Sequence, residues 1–166
     1  MPDAAAAFWR FSLAIYSRPA VPAACLVLQD EYGRDVNLAL YCCWLGASGR
    51  GVLSAEALAA TDAAVANWRH EVVEHLRAAR RAIKAAAWPD SENIYAKAKA
   101  VELEAERLLQ SRLAALAPAA QPSRPAAVRL GDARFNLGLY IGHAPAQPLH
   151  AALEAMAQAN FAAGSG

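Results

Sequence analysis

Gly33–Gly51, GRDVNLALYCCWLGASGRG, is the stretch on which the fold turns. Asp35 has the side chain of a helix N-cap, able to accept from N–H groups that a first turn leaves unpaired. From Val36 to Leu45 the one strongly polar side chain is Asn37. A helix of that composition has no face to offer water, so it belongs in the middle of a domain with other helices around it. The GASGRG that follows (residues 46–51) reads as a flexible turn.

Upstream, Asp3 can cap a first helix running to about Tyr16. Phe8, Trp9, Ser12, Leu13 and Tyr16 recur at helical spacing, with Phe11 and Ile15 widening the stripe. Arg18-Pro19 breaks it, and Pro22 suits the first turn of a second helix, where a missing N–H is harmless. Val21, Cys25, Leu28 and Tyr32 share one face of that helix, and Gly33 sits where a left-handed C-terminal cap is needed.

Downstream, Ser54 caps a long helix reaching about Ala87, with Leu58, Val65, Trp68, Val72, Leu76 and Ile83 as its buried stripe. Trp88-Pro89-Asp90 ends it, and Asp90 or Ser91 opens the next helix, which runs to about Leu116. Ile94, Ala98, Val101, Ala105, Leu108 and Leu109 are expected inward there. At ~1.5 Å per residue the two helices are ~50 Å and ~40 Å long. The short turn between them makes an antiparallel hairpin over 54–116.

APAAQPSRPAAVRLG (117–131) reads as a mobile Pro/Ala-rich linker. RFNLGLYIG (134–142) alternates enough to permit a strand, but a lone strand would have no partner, so a short helix is expected. Pro148 opens a last helix with Leu149, Leu153, Met156 and Phe161 on one side, and the AGSG tail is expected to fray. Together these elements predict an all-α, single-domain helical bundle with a buried central helix and a long antiparallel helical hairpin. Residues 1–116 form its core, 117–131 a linker, and 132–166 C-terminal helices packed on the same domain.

Composition limits the function. A chain of 166 residues is long enough to bury one core. Its net charge of +1 gives no bulk attraction to nucleic acid or membrane. Mean hydropathy is +0.14, and no apolar run reaches the ~18 residues of a membrane span. Asp3 and Arg10 spoil any secretory signal. Three cysteines, two of them adjacent at Cys42 and Cys43, suit neither a disulfide framework nor a metal site. A cytoplasmic protein is expected, away from the membrane. No Gly-rich phosphate loop, G-x-S-x-G elbow or C-x-x-C is found, so no catalytic residue, metal or cofactor is assigned.

HEVVEH (His70–His75) is a near miss for two zinc-protease signatures: Glu74 stands where one needs histidine, and Glu71 where the other does. Five residues put the two histidines ~140° apart on a helix, so they cannot share an ion. His70 with Glu74, or Glu71 with His75, could each supply two ligands, but surface contacts on a charged helix explain the string more simply.

Arg77, Arg80, Arg81 and Lys84 fall along one helical flank, extended by Arg69. Such a strip can grip phosphates or an acidic protein patch. Across the hairpin, however, Arg77 should lie within about a turn of Glu102, with Glu104 and Glu106 nearby, and ion pairs there would use up the charge. Gln29, Asp30, Asp35 and Asn37 form a polar group at a helix junction. They could bind a cation or do acid–base work, but capping accounts for Asp35, and backbone bonding for Asn37. Cys42 and Cys43, within the apolar helix, read as small hydrophobes.

The segments CLVLQD (Cys25–Asp30) and DVNLALYCCWL (Asp35–Leu45) carry a CLxLQD…DVNLxLxCxWL pattern. With Trp68-Arg69, the Leu76–Lys84 block and the Lys99–Glu106 stretch, they make the chain resemble a proteobacterial family of short conserved hypothetical proteins. That family is a domain of unknown function of about this length. The likeness runs to about Leu116 and implies no mechanism. From the residues, the first expectation is a non-enzymatic interaction or adaptor protein, docking a partner helix or forming a homodimer. The alternatives are a nucleic-acid-associated protein using the strip from Arg77 to Lys84, and a metal or small-ligand protein. A ligand protein would use Asp30, Asp35, the His70–His75 segment, or an apolar cleft lined by Tyr41, Trp44 and Trp68.

Overall fold

The computed structural model describes residues 3–121 and 123–163, with side chains as far as Gln158. Helix follows helix: α1 (Ala4–Tyr16), α2 (Val21–Asp30), α3 (Val36–Ala47) and α4 (Ala55–Trp68). A π-helical turn (Arg69–Val73) leads directly into α5 (Glu74–Ala86). After it come α6 (Glu92–Ala115), α7 (Ala126–Ile141) and α8 (Gln147–Ala163). No strand occurs among the described residues, and the fold is all-α as expected. The inward Phe161 and the frayed AGSG tail expected from the sequence concern atoms outside the described residues. No single described helix is long and apolar enough to cross a membrane.

α3 is the centre. Every residue from Asn37 to Gly46 is buried. Asp35 caps it, its carboxylate accepting from the Leu38 N–H at 2.9 Å. Gly33 takes a φ of +60° to close α2, as its position after an apolar helix predicts. From α1, Phe8 stacks on Trp44 with ring centroids 5.0 Å apart and meets Tyr41 edge-on at 5.8 Å. α7 packs more extensively on α3 than any other helix does. Full burial of Phe8, Ile15, Leu28, Leu38, Leu45, Leu109 and Leu137 contributes about 1.5–3 kcal/mol for each side chain.

Three expectations are corrected. The helix from Ser54 to Ala87 is continuous in path but contains the π turn. Leu58, Thr61 and Val65 are buried ahead of it and Val73 after it. Eight residues separate Val65 from Val73, which in a regular α-helix leaves them about 80° out of phase. The extra residue in the π turn takes up that angle.

On α6, Ala105 and Leu109 are inward, but Ile94, Val101 and Leu108 are exposed. Their places are taken by Glu102 and Gln110, which are buried because each has partners. Counting apolar residues alone rotates the apparent buried face toward the wrong flank.

The segment 117–131 is not all linker, because α7 already begins at Ala126. Ala-Ala-Val-Arg-Leu after Pro125 is a good helix start, hidden by the low complexity around it. The part before it is tied down: the Gln121 N–H donates to Gly49 O at 2.9 Å, and the Arg50 guanidinium donates to Pro118 O. Those bonds also hold the turn at 46–51, where Gly49 and Gly51 both have positive φ. Residues 134–141 are helix, within α7.

Candidate functional site

The basic strip faces carboxylates. Arg77 reaches Glu106 at 2.8 Å through Nη2 and Glu102 at 3.4 Å through Nε. Arg80 grips the same Glu102 with two N–H groups. Glu102 is 6% exposed, so it serves two guanidinium groups in a site nearly closed to water. Burial holds the Glu106 carboxyl above the usual range, with Arg77 pulling the other way. Arg81 reaches Asp30 at 3.1 Å, and Arg69 pairs with Asp62. Among the described residues no ion pair reaches Lys84. Most of the strip is thus spent on clamping α5 to α6 and α2, which leaves little charge for phosphates.

The polar junction group does not converge. The Gln29 amide donates to Asp30 at 3.1 Å. With Arg81 it holds the exposed Asp30 carboxyl below the usual range. Asp35 stays at the α3 cap, where its own N–H donates to the Tyr140 hydroxyl at 2.8 Å. Asn37 turns into the core instead. Its side-chain oxygen accepts from Gln110 at 2.8 Å, and Gln110 in turn accepts from Ser12 at 2.9 Å. This buried chain ties α1, α6 and α3 together and borders a cleft of about 200 Å³ that Arg77, Arg80 and Glu102 also line. Sequence reasoning placed Ser12 on the inner face of α1 but missed Gln110 and Tyr140. The signal for Gln110 is its place one turn after Glu106 on the inner face.

HEVVEH lies mostly within the π turn. His70 meets Glu74 at 3.1 Å, and His75 Nδ1 meets the His70 carbonyl oxygen at 2.8 Å, all on the surface. No group of three potential metal-ligating side chains occurs among the described residues. The three cysteines are free and buried. Burial pushes the Cys25 and Cys42 thiols up to about 12 and Cys43 well above its ordinary value, so none is a ready nucleophile. The cleft expected from Tyr41, Trp44 and Trp68 does not form. Tyr41 and Trp44 are core neighbours, while Trp68 is half-exposed on the hairpin, its ring N–H donating to Ala105 O at 3.0 Å.

The hairpin instead shows an outward apolar line. Ile94, Val101 and Leu108 stand 59%, 53% and 52% exposed at seven-residue intervals on α6. A shallow groove beside them is lined by Trp68, Leu108 and Arg112. Nothing in this surface places an acid, a base or a nucleophile together; it offers apolar contact between charged flanks.

The model of a family described as a protein of unknown function, DUF2390, matches residues 7–113, from α1 almost to the end of α6. No curated protein and no solved structure matches the chain. With well over half its length matched, and with the central helix, its cap and the ion-pair clamp all inside that match, the chain belongs to this family, DUF2390, whose function is unknown.

Proposed function

We propose that the chain is a non-enzymatic interaction protein whose hairpin pairs with the hairpin of a second copy. The observation that carries this is the exposed line Ile94–Val101–Leu108. Seven residues are close to two helical turns, so the three side chains run along α6 for ~20 Å. Full burial of such side chains contributes about 1.5–3 kcal/mol each, and a second copy can supply the cover. Antiparallel pairing about Val101 sets Ile94 across from Leu108 of the other copy. It also brings Lys97 beside Glu104 on the same edge, twice by symmetry, so the flanking charges attract. The three unpaired thiols support a cytoplasmic setting. The likeness of the Cys25–Leu45 region to proteobacterial proteins supports a source in that group.

Size-exclusion chromatography with light scattering tests the pairing. The wild-type chain is expected at twice its 17.6 kDa mass. Val101→Glu is expected at the single mass with its melting temperature kept, because Val101 is exposed in the isolated chain. A wild-type monomer at high concentration, or a dimer indifferent to Val101→Glu, refutes it.

A further inference from the structure

A cavity of about 240 Å³ opens between α1, α3, α7 and α8, away from the hairpin. Its walls are apolar, with Phe11 from α1, Trp44 from α3, Leu130 from α7, and Leu153 and Met156 from α8. One charged side chain lines it, Arg129, and no carboxylate does.

Arg129 stands apart from its neighbours. At the same end of the molecule Arg124 lies 3.1 Å from Asp132. Arg50 lies over the Trp44 ring, 4.6 Å from its centroid, and donates to Pro118 O. Among the described residues Arg129 has no ion pair. Its one acceptor among the described residues is the Ala47 carbonyl oxygen at 3.5 Å, the outer edge of hydrogen-bond range. Its Nε–H is buried with no acceptor, as are those of Arg50 and Arg124, so what sets Arg129 apart from Arg124 is the missing counter-charge. A guanidinium keeps its charge at every physiological pH. The side chain is half-buried, and a partly desolvated charge without a counter-ion favours an anion beside it.

We infer that this cavity is a binding site for a small carboxylic acid with an unbranched apolar tail. The tail occupies the slot between Phe11, Leu130 and Met156, and the carboxylate accepts from the terminal nitrogens of Arg129. One fork of donors, with no second cation lining the cavity, matches a single negative charge. The apolar walls supply the remaining affinity. Arg129, Leu130, Leu153 and Met156 lie past residue 113, while Phe11 and Trp44 lie within the family match, so the cavity is built from both parts of the chain and its charged group from the part the match does not cover. It is independent of hairpin pairing.

The test is a titration of the full chain with octanoate, octanol and octyl phosphate, each followed through the methyl resonances of Leu130, Leu153 and Met156. Octanoate is expected to give saturable shifts at these methyls, and octanol to bind about ten-fold more weakly. Arg129→Met is expected to abolish that difference while leaving octanol binding as it was. Leu130→Trp fills the slot and is expected to remove both. Absence of saturable shifts with octanoate, equal affinity for octanoate and octanol, or tighter binding of octyl phosphate overturns the proposal. So does a preference for octanoate that survives Arg129→Met. If a variant does not fold, the comparison of the three compounds on the native chain decides.

Discussion

Gly46 of α3 lies directly against the backbone of Ala133 on α7. A β-carbon built on Gly46 would stand 2.0 Å from the Ala133 nitrogen and 2.4 Å from its α-carbon. Helices this close need a residue without a side chain at the crossing. Because the obstacle is main chain, it cannot swing aside as a flexible side chain would. Gly46→Ala is therefore expected to lower stability by about 3 kcal/mol or more, measured as a shift in the urea midpoint. An unchanged midpoint would mean that α3 and α7 do not meet as described.

Tyr41 gives the opposite sign. It is fully buried, and its hydroxyl has no hydrogen-bond partner. Phe8 and Trp44 surround the ring with apolar surface. Tyr41→Phe removes a group that gave up water without compensation and keeps the ring packing. A gain of about 1 kcal/mol is expected, read by the same denaturation. A loss of that size would show that the hydroxyl has an acceptor in solution.

Asp35 makes stability depend on pH in an unusual direction. Burial raises its carboxyl above the usual range, against the pull of the Leu38 N–H and of Arg69 and Arg77. The folded chain thus holds this proton more tightly than the unfolded one. Its contribution is fully present below the unfolded value and is lost as pH rises through the folded one. Asp35→Asn keeps an oxygen for the Leu38 N–H and has no proton to release. Relative to the parent, the variant is expected to gain stability between pH ~3 and pH ~7, as urea midpoints at the two ends will report. A difference that stays constant across that range would count against a buried carboxyl.

The π turn predicts tolerance to a deletion. Val65 and Val73 point the same way because Arg69–Val73 carries one residue more than an α-helix needs. Removing the exposed Glu71 should convert the turn to regular α-helix and leave both limbs in register. Removing Ala79 from α5 rotates everything after it by about 100° and pulls Arg80 off Glu102. Circular dichroism melts should show the first variant folded with a melting temperature near that of the parent, and the second grossly destabilised.

The sequence made the centre of the fold legible and its periphery less so. Val36–Leu45 could be placed because ten residues with one strong polar group leave no solvent face, and Asp35 and Gly33 mark the ends by chemistry that is local. α6 was misjudged by one flank. Glu102 and Gln110 count as surface residues until their partners, Arg77, Arg80, Asn37 and Ser12, are known, and those lie on other helices. The pairing of Arg77 with Glu102 was foreseeable because a hairpin fixes which turn faces which. The start of α7 at Ala126 was not, since proline and alanine around it mask the recurrence Leu130, Ala133, Leu137, Ile141. The Arg129 cavity had no signal in the sequence, for its walls come from four helices spread along the chain.

The cover that α7 provides has a consequence during synthesis. α3 leaves the ribosome long before α7, with the whole hairpin made in between. Throughout that interval an apolar helix carrying two thiols lacks its principal partner, and nascent chains in this condition are prone to associate with one another. Folding can finish only when the last quarter of the polypeptide arrives, so premature termination anywhere in the hairpin should yield a product that chaperones retain and proteases clear.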